Sequence, residues 1–125
     1  MRWTVRCHAT FEAAHHLVDY AGGPEPAHGH SWKIEVALGV DRLGAYDLAV
    51  DFIPTEAFVK GLADRLHNRD LNTVPPFDER NASAENVALW VADEIARSGL
   101  LKNGARLEAV TVWEGTRNSV TYRPA

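Results

Sequence analysis

With 125 residues, the chain has enough length for one hydrophobic core and not comfortably for two, so a single domain spanning 1–125 is expected. Thirteen basic residues face 17 acidic ones, a formal charge of -4. No window gathers the cations into the stripe that a phosphate backbone requires, which argues against a nucleic-acid partner. Membrane-spanning length is not reached by any apolar run, and the N-terminus alternates instead of forming a signal-like apolar block, so a cytoplasmic protein with no membrane partner is expected. Cys7 is the sole cysteine, which excludes an internal disulfide and leaves nitrogen and oxygen donors to hold any metal.

In chain order, Trp3, Val5, Cys7, Ala9 and Phe11 alternate with polar residues, the period of a half-buried strand. Leu17 to Ala27, rich in Gly and Pro, is longer than a tight hairpin and stands as a candidate functional loop. A second alternation, Trp32 through Leu38, predicts a strand antiparallel to the first. Asp41-Arg42-Leu43-Gly44 reads as a turn into a third short strand, Tyr46 to Phe52. Pro54 suits a first helical turn, and Phe58, Val59, Leu62 and Leu66 make one apolar stripe over Thr55 to Leu66. Asn72 to Asn81 reads as a loop, and Ser83 caps a second helix with the stripe Val87, Trp90, Val91 and Ile95, which Gly99 stops. Leu107 to Trp113 and Ser119 to Tyr122 complete the chain as a strand pair across Gly115-Thr116-Arg117-Asn118. The order of elements gives an α+β layer arrangement.

Six histidines in so short a chain invite a metal reading. In His28-Gly29-His30, positions two apart on a strand point to one face, so two imidazoles converge. His15 ends the preceding strand, and an antiparallel return brings it alongside them as a third nitrogen ligand. Three histidines with a fourth position open is the catalytic zinc pattern, although other imidazole-binding metals fit the same donors. His16 faces away from His15 and is expected to be structural; Cys7, on an apolar face, is expected to be buried and inert.

The run Phe11-Glu12-Ala13-Ala14-His15 with His28-Gly29-His30-Ser31 resembles the signature of 6-pyruvoyl-tetrahydropterin synthases and their 6-carboxytetrahydropterin synthase relatives. Val50-Asp51-Phe52, Leu71-Asn72, Ala84-Glu85-Asn86 and Glu114 extend the likeness along the chain. The resemblance implies the tunnelling fold, a four-stranded antiparallel sheet with two helices on one face, whose subunits join into a barrel as a homotrimer or homohexamer with active sites between subunits. It also implies Zn2+ on His15, His28 and His30, a small-molecule pterin substrate such as 7,8-dihydroneopterin triphosphate, and a substrate-binding role for Glu114, with Ser83 in the same pocket.

Two places depart from the family. Pro24 stands where members acting on dihydroneopterin triphosphate carry a cysteine, and Glu25 gives Glu-x-x-His-Gly-His instead, resembling a subgroup that uses a glutamate. The family's Asp-His pair is replaced by His67 and Asn68. Glu25 and His67 are therefore the candidate catalytic acid–base residues. Two other functions fit these departures: an enzyme condensing an aromatic amine with a carbonyl compound, as in a Pictet-Spengler cyclisation with Trp32 and Trp113 as aromatic walls, and a non-catalytic binding protein of the same fold.

Overall fold

A computed structural model describes residues 2–18, 22–23 and 25–125. Among these, five strands form one sheet against two helices. The strands are β1 (Trp3–His15), β2 (His28–Val40), β3 (Arg69–Asp70), β4 (Arg106–Glu114) and β5 (Asn118–Tyr122); the helices are α1 (Phe52–Leu66) and α2 (Ala84–Arg97). The sheet order is β3-β1-β2-β4-β5. All neighbours are antiparallel except β1 and β3, which run parallel. The sheet is thus five-stranded and mixed, where the resemblance implied four antiparallel strands. The addition is the two-residue β3, formed because the turn after α1 docks on the free edge of β1: the Asn68 amide donates to the Glu12 carbonyl at 2.6 Å.

Alternation places Cys7, Phe11, Ala13 and His15 of β1 on the buried face, and Arg6, His8, Thr10 and Glu12 on the other. Across the ladder, Phe11 pairs with Trp32, Ala13 with His30 and His15 with His28. Trp32, Ile34, Val36 and Leu38 therefore continue the same face and are at most 1 % exposed. Helix α1 packs over β1 and α2 over β4 and β5, closing a core with Val59, Leu62 and Leu66 from one helix and Val87, Val91 and Ile95 from the other.

Both helix starts follow from capping. The Asp51 carboxylate accepts from the Ile53 amide at 3.0 Å and the Ser83 hydroxyl from the Asn86 amide at 3.1 Å, each satisfying a donor that the first turn leaves orphaned. The second helix ends at Arg97, with Ser98 as cap and Gly99 at φ +81°. The expected strand at Tyr46 to Phe52 is absent: Ala45–Asp47 is a short 3-10 turn. Tyr46 and Asp47 both take φ +58°, a left-handed conformation that no strand contains.

Candidate metal centre

Three strands in register build the centre. His15 and His28 are cross-strand partners, His30 lies one rung inward on the same face, and Glu114 of β4 pairs with Trp32 one rung further. Paired residues share a face, so all four side chains rise from one patch beside the core. One ligand atom from each of the four lies within 4.8 Å of the others. The imidazole ring centroids stand 4.6 Å apart for His15 and His28, 5.3 Å for His15 and His30, and 4.7 Å for His28 and His30.

The ring orientations are set from outside the cluster. Nδ1 of His15 lies 2.6 Å from the Ala82 carbonyl, and Nδ1 of His28 lies 3.0 Å from that of Pro26. A carbonyl only accepts, so each Nδ1 carries the proton and each Nε2 keeps its lone pair for a metal. The Nε2 atoms of His15 and His30 are buried and have no hydrogen-bond partner among the described residues. Nitrogen lone pairs buried without partners are costly, and a cation between them removes that cost. Burial lowers the His30 pKa; the Glu114 carboxylate partly opposes this, and His15 and His28 reinforce it, which favours the neutral, ligating imidazole. Trp32, 1 % exposed, forms the floor: its ring meets His15 edge-on at 4.8 Å, and its Nε1 donates to the Ala13 carbonyl at 3.2 Å.

A cleft of about 310 Å³ opens over the cluster, lined by His15, Leu17, Glu25, His28, Ser83, Glu85, Glu114 and the start of β5. Glu25 and Ser83, both singled out in the sequence, thus stand in the same cleft as the histidines. Glu25 bridges the loop: its Oε1 accepts from the Leu17 amide at 2.9 Å, its own amide donates to the Leu17 carbonyl at 3.0 Å, and Oε1 is 4.0 Å from His28 Nε2. The Pro24 position falls outside the described residues. His67 is placed elsewhere in the chain. It is exposed, its Nδ1 accepts from the Glu12 amide at 3.0 Å, and it does not line this cleft. Trp113 lies on the opposite sheet face, paired with Lys33, whose Nζ sits 5.0 Å over its ring. Trp32 lies in the core beneath the histidines, and neither tryptophan is among the residues lining the cleft.

A support frame of amides escaped the sequence reading. The Asn72 side chain accepts from the His16 amide at 3.0 Å and donates to the His16 carbonyl at 3.0 Å, clamping the backbone next to His15. Asn81 Oδ1 accepts from the Val18 amide at 3.0 Å, while Asn86 Nδ2 donates to the Asn81 carbonyl at 2.9 Å. These bonds give physical roles to Leu71-Asn72 and Ala84-Glu85-Asn86, which the sequence offered only as matches. The Ala82 carbonyl carried no signal, because a backbone acceptor leaves no trace in residue type, and Asn81 read only as the end of a loop.

The family model described as 6-pyruvoyl tetrahydropterin synthase matches residues 4–125. Among solved structures, 6-pyruvoyl tetrahydropterin synthase of Caenorhabditis elegans is 20% identical with a TM-score of 0.80, over 100% of this chain and 97% of that one. The Plasmodium falciparum synthase is 15% identical with a TM-score of 0.81, covering 98% of each chain. A Plasmodium vivax synthase in which a glutamate described as a catalytic residue is replaced by alanine is 14% identical with a TM-score of 0.81, over 99% of this chain and 98% of that one.

Proposed function

Because the chain belongs to the 6-pyruvoyl tetrahydropterin synthase family, we propose that it is a zinc-dependent lyase or synthase acting on a pterin such as 7,8-dihydroneopterin triphosphate. The observation that carries this reading is the pair of buried Nε2 atoms of His15 and His30, without hydrogen-bond partners among the described residues, beside a cleft that also holds His28, Glu25, Ser83 and Glu114. The donor set suits Zn2+, with three imidazoles and no thiolate. When bound, zinc supplies Lewis-acid polarisation of oxygens on the substrate side chain.

The remaining work belongs to the chain's own residues. Glu25 has one carboxylate oxygen held by the Leu17 amide, which fixes its place and leaves the other oxygen to take or give a proton beside the substrate side chain. The Plasmodium vivax synthase, with its glutamate described as catalytic, supports a carboxylate in this role. Glu114 offers two acceptor oxygens side by side, the complement of two adjacent N–H donors on the amino-pyrimidinone edge of a pterin. The Ser83 oxygen already accepts from the Asn86 amide, so its hydroxyl proton is free to donate to the ligand. His67, exposed and away from the cleft of its own chain, serves as an acid or base in this reading only across a subunit boundary.

The amine-condensing alternative loses support from the placement of Trp32 and Trp113. The test is Glu25→Gln, assayed with zinc saturating. Turnover of the pterin should fall by roughly 10²–10⁴, the usual worth of a positioned acid or base, with zinc content unchanged. Undiminished turnover would remove Glu25 from the chemistry.

A further inference from the structure

The three-histidine centre leaves a fourth position, and the side chain that faces it is Glu114. Its Oε1 lies 3.5 Å from Nε2 of His15 and its Oε2 lies 3.4 Å from Nε2 of His30. These separations are too long for charge-assisted hydrogen bonds, which run to about 2.7–2.9 Å, and among the described residues neither nitrogen has a hydrogen-bond partner. They match something else. Ligands at about 2.0–2.1 Å from a tetrahedral zinc stand about 3.3 Å from one another. His15, the ligand nearest the core, is only 2 % exposed, so its lone pair has no outlet to bulk solvent.

From this geometry we propose that Glu114 is a metal ligand in the substrate-free protein, closing the centre that the histidines leave open. The proposal rests on the zinc reading above and adds to it a second state for a residue otherwise reserved for substrate. Glu114 sits at the end of β4, next to Gly115 at φ +76° and the turn into β5, with its side chain 31 % exposed on the cleft side. A carboxylate so placed would hold the metal when the cleft is empty and would be free to take the N–H edge of a pterin once substrate displaces it. Ligand capture and metal opening would then be one event, and the centre would stay closed to adventitious small ligands between turnovers.

Cobalt(II) as a spectroscopic substitute for zinc provides the test, with no need for turnover. Metal-free wild type, Glu114→Gln and Glu85→Gln, the last removing a different carboxylate of the same cleft, are titrated with cobalt against a competing chelator. The expected result is a four-coordinate visible spectrum for wild type and Glu85→Gln. Glu114→Gln should give a changed spectrum and an affinity lower by more than the roughly 10–100-fold that loss of an outer-shell partner costs. A second measurement avoids dependence on Glu114→Gln folding: infrared difference spectra of 13C-glutamate-labelled Glu25→Gln protein should show a carboxylate stretch that shifts when zinc binds. Wild-type spectrum and affinity in Glu114→Gln, or no carboxylate shift, would overturn the proposal while leaving a three-histidine centre standing. Absence of stoichiometric cobalt binding by wild type would instead overturn the metal centre itself, and this inference with it.

Discussion

His15 is held at Nδ1 by the Ala82 carbonyl and turns Nε2 toward the other residues of the cluster, in a position 2 % exposed. Truncating it to alanine removes a ligand and leaves that carbonyl unpaired, so the variant should lose stoichiometric zinc, as metal analysis of the purified protein will show. Cys7 makes a contrasting residue-scale prediction. Burial pushes its thiol pKa up, Glu56 adds to the rise, and the thiolate is the reactive form. Alkylation should therefore be slow in the native protein and fast in denaturant, followed by mass spectrometry; rapid native labelling would contradict its burial. The clustering of His15, His28 and His30 was legible because residues two apart on a strand share a face and an antiparallel return brings the end of the preceding strand alongside them. His67 was legible only as a residue type: nothing in the sequence says that its Nδ1 is occupied by the Glu12 amide.

At the scale of elements, each helix depends on one cap, and the two caps separate stability from function. Asp51→Ala should cost about 1 kcal/mol and lower the melting temperature by roughly 3–6 °C, with turnover unchanged, since Asp51 does not line the cleft. Ser83→Ala should cost a similar amount and also weaken substrate binding, because Ser83 lines the cleft. The second helix was readable because its stripe and the Ser83 cap agree, whereas the first was readable from its stripe and Pro54 alone, and its start at Phe52 under the Asp51 cap was not. Strands β1 and β2 run further than hydrophobic alternation indicated, to His15 and from His28, because the core-facing row switches there from apolar residues to imidazoles. The pattern fails where the site begins, as expected of a functional position that breaks a local rule. The misplaced strand near Tyr46 has another cause: two consecutive left-handed residues, neither of them glycine, leave no signature in composition.

Across the whole molecule, the sheet ends in β5 on one side and the two-residue β3 on the other. Edges of this kind offer unpaired backbone groups to another copy, as the closure of subunits into a barrel implied by the family resemblance would require. Light scattering should return three or six times the 13.8 kDa of the chain; a monomer would contradict shared active sites. Zinc binding to the native state alone should also raise thermal stability, by about 2.7 kcal/mol at a hundred times its dissociation constant, and a chelator should reverse it. The α+β layering was legible from the order of elements, whereas the shape of the cleft was not, because its lining comes from four separate stretches, among them a loop and the start of α2, that only the tertiary fold brings together. The central claim is tested most directly by incubating zinc-loaded protein with 7,8-dihydroneopterin triphosphate, with and without a chelator, and following the pterins by liquid chromatography and mass spectrometry. Turnover abolished by the chelator, with a product altered in its side chain, is the predicted result; unchanged substrate from fully metallated protein would contradict it.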